Sequence, residues 1–442
     1  MRFILPCSPS LLCIDRFSLL ESEADEVPFW QIFKAAITAR IKGWGDLVEL
    51  LETIAVTLHS SSLRDYGTLR GFLQDEWASK ETHFFTEVWP KLVQLALEMP
   101  QLFPESSLLS LSEEHRELEL SRRQAGCLVI HQFLCSLPKQ PWPTDSSQDF
   151  RIWYSSGSRH SMATRAYLSS LFTYFQRLSG VGAETEPVLS PLMNEWPIIF
   201  TLSILQESRV VQLDPSLLEH PLCRLTVVHL PTASTEPSLL GLPDGACVVS
   251  ANKNVGFGQT GTQEETQVGS SPESCPVVLL TPTLQDNQVL IVQGAEAMVT
   301  MKGYGREARL DSVLTADYGF SAGDSQWSKW RRRTMLFMDA LQLDQFTVDK
   351  RTIADHLPGH SNYTEIVTGL WGCGAFGGNP QTKTLIQWCA ASMARTNLRL
   401  VLSGENQVVL ASELNEIVKM AREGLWTAKN VLDTIGALKP SD

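Results

Sequence analysis

Apolar residues recur three and four apart through the first half of the chain and gather in short unbroken runs through the second. Between Phe84 and Met99, the residues Phe85, Val88, Trp89, Leu92, Leu95 and Ala96 fall at helical spacing. Pro90 sits inside that run, and its missing amide proton predicts a helix start or a kink there. Residues 120–137 read as a second helix, with Ser121 as N-cap and Pro138 as the stop. Residues 162–178 read as a third, with Leu168, Leu171, Phe172, Phe175 and Leu178 on one stripe. Stripes of this kind are core faces. A loop rich in Pro and Ser covers 138–148, and 179–191 reads as a connector.

In the second half the apolar runs are 225–230, 246–249, 277–280, 289–292, 335–338 and 398–402. Gly and Pro loops separate them, together with helical patterns at 382–395 and 413–421. Near-continuous apolar strands alternating with helices predict a sheet covered on both faces. The fold class expected is therefore α/β, a mixed sheet between helices, preceded by an all-α part. The expected division is an N-terminal extension at 1–64, a helical domain at 65–213 and an α/β domain at 214–442, with the boundary near Leu213.

Composition narrows the class. The chain has 442 residues, 43% hydrophobic and 19% charged, which suits two or three globular domains. Residues 1–14 hold only short apolar runs broken by Pro6 and Pro9, and no stretch is long enough to cross a bilayer. A soluble, intracellular protein with no membrane contact is expected. Nine cysteines without a C-x-x-C pair, and nine histidines without H-E-x-x-H spacing, point to buried thiols in a reducing compartment and to no metal site. A net charge of −13 argues against tracking along DNA or RNA. The longest basic run, Lys329, Arg331, Arg332 and Arg333 around Trp330, is expected to be a solvated surface segment.

Two glycine clusters carry the candidate chemistry. Residues 255–265 read V-G-F-G-Q-T-G-T-Q-E-E, a flexible turn emptying into adjacent carboxylates. Taken as an extended segment, Glu264 and Glu265 point to opposite sides and do not flank one bond as paired glycosidase carboxylates do. One would then transfer protons, with Glu265 assigned that role, while the other fixes ligand hydroxyls. The bland alternative is two solvated glutamates. Residues 369–378 read G-L-W-G-C-G-A-F-G-G and lead into Asn379-Pro380, an N-cap followed by a first-turn proline. A glycine loop entering a helix N-terminus suits an anion, although such loops also serve as plain turns. Cys373, inside it, reads as a small buried residue.

These stretches resemble the poly(ADP-ribose) glycohydrolase family of macrodomain type. The likeness is carried by A-N-K at 251–253 with G-F-G-Q-T-G-T-Q-E-E at 256–265, and by T-G-L-W-G-C-G-A-F-G-G at 368–378 running on to L-I-Q at 385–387. Upstream, L-S-R-R-Q-A-G-C-L-V-I-H-Q-F-L-C-S-L-P at 120–138 and L-F-T-Y-F-Q-R-L at 171–178 look like that family's helical region. The resemblance implies a macrodomain that binds ADP-ribose and hydrolyses the ribose–ribose O-glycosidic bond without metal or other cofactor. It implies Glu265 as acid–base residue and Glu264 on the ribose hydroxyls. Asn252 and Gln263 would contact substrate, and Tyr304 would pack over the nucleotide. Gly374, Ala375, Phe376, Gly377 and Gly378 would wrap the pyrophosphate. The chain departs from the family at Phe257, where a glycine is usual, and at Val249, Leu370 and Ser403.

The partners implied are poly(ADP-ribose) and ADP-ribosylated proteins, met by a monomer in the nucleus or cytoplasm during the DNA damage response. The competing readings are a non-catalytic ADP-ribose reader and a mono-ADP-ribosyl hydrolase. Retention of Gln263-Glu264-Glu265 favours the polymer-degrading enzyme, since binding alone needs no acid–base glutamate.

Overall fold

The computed structural model describes residues 1–20, 25–60, 65–180, 196–205, 218–314, 329–340, 363–374 and 376–437. Most of the expected connector, 181–191, and the expected boundary at Leu213 lie outside the described residues. The chain divides into two compact units: residues 1–199, 254–283 and 295–318 form the first, and 200–253, 284–294 and 319–442 the second. Two segments of the later half thus belong to the first unit.

The helices of the first unit are α1 (Phe29–Thr38), α2 (Trp44–His59), α3 (Gly67–Glu76), α4 (Trp89–Leu97), α5 (Arg122–Phe133), α6 (Ser161–Ser179) and α7 (Gln263–Gly269). Pro90 occupies the first turn of α4, and Phe84–Val88 just before it form one wider helical turn, so the missing amide proton falls at the junction of the two. A capping box starts α5: the Gln124 amide donates to Ser121 Oγ at 3.2 Å, and the Ser121 amide donates to Gln124 Oε1 at 2.9 Å. The helix α6 ends on Gly180, whose φ of +65° is one that glycine adopts without strain. Its predicted stripe is buried, and Phe172 packs 5.0 Å from Trp77 and 5.7 Å from Phe133, ring to ring.

Buried ion pairs fasten the later segments to these helices. Arg122 on α5 pairs with Glu273, and Arg177 on α6 donates to Glu296 at 2.7 Å. The Glu296 amide in turn donates to Glu273 Oε2 at 3.1 Å. Two histidines are buried as neutral rings. His59 is held down to about 4, by burial first and then by the Arg151 charge, and burial holds His131 at about 4. Both folded values lie below the usual value of about 6.5. Protonation therefore favours the unfolded chain, so their contribution to stability is complete above about pH 6.5 and is lost as pH falls towards 4. Asp149 and Glu296, raised by burial, act in the opposite sense at the acid end. The melting temperature is expected to fall between about pH 7 and 4.5. A flat profile in a thermal-shift series would contradict this.

In the second unit a sheet is built from β1 (Ile198–Ile204), β2 (Leu225–Leu230), β3 (Ala246–Ser250), β4 (Gln288–Gln293), β5 (Thr334–Met338), β6 (Glu365–Thr368) and β7 (Asn397–Ser403). Their order is β1-β4-β5-β3-β6-β7-β2. The five strands from β5 to β2 are parallel and β4 is antiparallel, so the sheet is mixed. The helices are α8 (Pro380–Met393), α9 (Val408–Glu423) and α10 (Ala428–Ala437). Leu398, Leu400 and Leu402, alternating along β7, meet Trp388 and Ala391 of α8 and Leu414 and Val418 of α9 in one core.

Two sequence expectations change. Residues Val277–Leu280 form a helical turn, not a strand. All four are buried, and a short run that is apolar all round carries no period to separate the two; Pro276 just before it sets a helical φ. The basic run at 329–333 is only partly a solvated segment. Lys329, Trp330 and Arg333 are buried, with the Arg333 guanidinium 5.5 Å from the Trp330 ring, and only Arg331 and Arg332 are exposed.

Candidate active site

The chain leaves β3 at Ser250, passes the exposed Asn252, and enters the first unit at Asn254. Ser146 Oγ donates to the Asn254 carbonyl at 2.8 Å and so pins the start of the loop. Phe257 is buried in an aromatic box. Its ring lies 5.0 Å from Phe150 and 5.4 Å from Trp153, which stack on each other at 4.4 Å. The Trp153 indole N–H donates to the Gly258 carbonyl at 2.7 Å. A side chain at 257 therefore serves as an anchor, and three aromatic rings hold the turn in place of backbone freedom.

Glu264 and Glu265 do not lie in an extended segment. They occupy the first turn of α7, because Thr262 and Glu265 form a capping box. The Thr262 amide donates to Glu265 Oε2 at 3.0 Å, and the Glu265 amide reaches Thr262 Oγ1 at 3.5 Å. The T-x-x-E spacing was present in the sequence as a helix-start signal. Successive helical residues diverge by about 100°, so the two carboxylates serve different neighbours. Glu264, 8% exposed, accepts from the Gly256 amide at 2.9 Å. Glu265 Oε2 also accepts from the Thr260 amide at 2.9 Å and from the Thr260 hydroxyl. Its Oε1 faces Gly258 so closely that a Cβ there would fall 1.7 Å away, so only glycine leaves room for the carboxylate.

Gln263 is the first residue of α7 and is half-buried. Tyr304 is 63% exposed, at the turn of a hairpin between Val299–Lys302 and Arg309–Val313. That turn is tied to the glutamate loop, since the Gly305 amide donates to the Gly261 carbonyl at 2.8 Å. Within the first unit the fold thus gathers Gln263, Glu264, Glu265 and Tyr304. Spacing had not singled out Ser146, Phe150, Trp153 and Thr260. Thr260 stood inside the motif, but the others are more than a hundred residues away and gave no local signal.

In the second unit, the glycine cluster follows β6, next to β3 in the sheet and parallel to it. Asn252 and this loop thus leave the same end of adjacent strands, where open α/β sheets bind ligands. The loop is anchored by the Trp371 indole donating to the Met338 carbonyl at 3.1 Å and by Thr368 Oγ1 donating to Gln387 on α8 at 2.9 Å. Gly374 and Gly377 have open space where a side chain would project, and the φ of +69° at Gly377 suits glycine. Phe376 packs part-buried at the edge of the core, Gly378 is buried, and Ala375 lies outside the described residues. Asn379 caps α8, accepting from the Thr382 amide at 2.9 Å. Cys373 is half-buried, and burial pushes its thiol up to about 11, with Lys383 opposing, which disfavours the thiolate.

The decisive observation is a match to two family models. The model described as Poly (ADP-ribose) glycohydrolase (PARG), Macro domain fold, matches residues 241–409, and that described as Poly (ADP-ribose) glycohydrolase (PARG), helical domain, matches 77–190. The chain belongs to the poly(ADP-ribose) glycohydrolase family. The macro-domain match spans every expected site residue, from Asn252 to Gly378, and the helical match spans α4 to α6 with Trp153. Both the mixed sheet with its helices and the separate helical region therefore have counterparts in poly(ADP-ribose) glycohydrolases. Among curated relatives, poly(ADP-ribose) glycohydrolase 2 of Caenorhabditis elegans is 28% identical over 195 residues, covering 39% of each chain. Poly(ADP-ribose) glycohydrolase 1 of Arabidopsis thaliana is 23% identical over 445 residues, covering 77% of this chain and 75% of that one.

Proposed function

We propose that the chain hydrolyses the ribose–ribose O-glycosidic bonds of poly(ADP-ribose), releasing ADP-ribose, with Glu265 as the single acid–base residue. The observation that carries this reading is the way Glu265 is held. One carboxylate oxygen accepts from two backbone amides and a hydroxyl, while the other lies over a glycine that leaves it room. A carboxyl group so oriented gives its proton to the departing ribose oxygen. It then takes a proton from the water that attacks the anomeric carbon. Neighbouring carboxylates diverging from one helical turn do not flank a bond, so a second carboxylate is not available on the opposite face from this pair.

On the same reading, Glu264, fixed by the Gly256 amide, holds ribose hydroxyls, and Asn252 contacts the ribose near the bond that breaks. Gln263 contributes to substrate binding, and Tyr304 packs over the nucleotide. Gly374, Ala375, Phe376, Gly377 and Gly378 receive the pyrophosphate by backbone amides. The partners are polymer chains on ADP-ribosylated proteins, in the nucleus or cytoplasm during the DNA damage response, met by a monomer without nucleic-acid contact.

The test is release of free ADP-ribose from polymer on an automodified acceptor. Release supports the reading. Binding of ADP-ribose without release would replace it with that of a reader, and release from mono-ADP-ribosylated protein alone would replace the substrate.

A further inference from the structure

The strand β2 is the last of its sheet, with β7 on one side. Its ladder shows which way its backbone points. The Leu398 amide donates to the Arg224 carbonyl at 2.9 Å, and the Gly404 amide donates to the Leu230 carbonyl at 3.0 Å. Backbone groups alternate in direction along a strand, so Thr226 and Val228 also face β7. Leu225, Val227 and His229 then turn their amides and carbonyls to the opposite side. Among the described residues no strand pairs there. The Leu225 carbonyl is met on that side by the Arg422 guanidinium of α9, at 3.4 Å. An open row of this kind is a template for a further strand.

A cavity of about 430 Å³ lies along the same stretch, between the start of β2 and α9. Leu225 and Val418 line it and are buried. Its charged rim is Arg224, Lys419, Arg422 and Glu423, all exposed. Three positive groups thus face one negative group, on a chain whose net charge is −13. The strands β3, β6, β7 and β2 are parallel, and Asn252 and the glycine cluster follow the ends of β3 and β6. The cavity is at the start of β2, the other end of the sheet, and is no part of the candidate active site.

We propose that this edge is a docking site for an acidic, extended segment of another protein, which pairs with β2 as an added strand. The outward amides and carbonyls of Val227 and His229 supply main-chain hydrogen bonds, and alternate side chains of the segment reach into the groove. There its carboxylates meet Arg224, Lys419 and Arg422 in charge-assisted contacts. Charge decides the occupant. A second copy of the chain would set the same basic patch against itself, which like charges oppose. The inference is independent of the chemistry proposed for Glu265.

The probe is a short synthetic peptide alternating valine and glutamate, capped at both ends, labelled, and titrated into the full chain with fluorescence anisotropy as the readout. Saturable binding is expected. Arg224→Glu combined with Lys419→Glu is expected to weaken it by about tenfold or more. N-methylation of the peptide's central residues, which removes its donors to the edge, is expected to weaken it as much, and a valine–lysine peptide is expected not to bind. The double variant should keep the wild-type affinity for ADP-ribose. Absence of binding to the acidic peptide overturns the proposal. So does equal binding of the N-methylated or the lysine peptide, or equal binding by a double variant with the wild-type melting temperature. If the double variant does not fold, the peptide comparisons on wild type decide alone. A wild type that sediments as a dimer, and as a monomer once Arg224 and Lys419 are reversed, would replace the acidic partner with self-pairing.

Discussion

Glu265→Gln is expected to slow ADP-ribose release from polymer by about 10³-fold while ADP-ribose still binds, since acid–base catalysis by one side chain contributes roughly 10²–10⁴. Glutamine is the informative replacement. A capping box accepts glutamine in place of glutamate, so the amide oxygen keeps the bond from the Thr262 amide that starts α7. The helix and the Gly258 approach are therefore retained, and what disappears is the proton that Glu265 would give and take. Alanine would remove the cap as well and confound catalysis with folding, at about 1 kcal/mol for a lost cap alone. Initial rates on polymer, set beside calorimetric titration with ADP-ribose, separate the two effects. Equal release by both proteins would show that another group moves the proton.

Arg122→Ala is expected to destabilise the chain by about 3–5 kcal/mol, the usual cost of removing one partner from a buried ion pair. Arg122 is 2% exposed and Glu273 is 0% exposed, so the carboxylate left behind finds no water. Among the described residues, Glu273 Oε2 would keep the Glu296 amide as a hydrogen-bond donor. Glu273 follows α7 by four residues, so the same lesion loosens the segment that holds Glu265. Replacing both partners together, Arg122→Met with Glu273→Leu, is expected to recover most of the loss, because neither charge of that pair is then left buried without its partner. Denaturant midpoints for the single and double variants decide the matter; a single variant within about 1 kcal/mol of wild type would show that the pair is not what fastens the segment. The buried pair also explains a sequence feature. The arginine of L-S-R-R-Q-A-G at 120–126 is a clamp for a segment 151 residues away, where a charge on a helix face would ordinarily read as solvated.

The aromatic box around Phe257 shows the same limit from another side. Against the family pattern, a phenylalanine in a glycine turn reads as a departure. In the fold it is a buried anchor, because Phe150 and Trp153 receive its ring. The local sequence shows only that a glycine is missing.

What the sequence alone determined is what depends on near neighbours. The stripes of α4 to α6, the Ser121 cap, the apolar runs of β2 to β5 and of β7, and the two glycine clusters with their carboxylates and helix cap all follow from residues within a turn or a strand of one another. Family membership was legible for the same reason, since its motifs are local strings. Only the tertiary structure decided that 254–283 and 295–318 belong with the helices, that Val277–Leu280 coils, and that Trp153 holds the Gly258 carbonyl. Those outcomes rest on contacts about a hundred residues apart, such as Trp153 with Gly258. Burial and pairing there are set by where the whole chain folds back, and no spacing along the sequence encodes them.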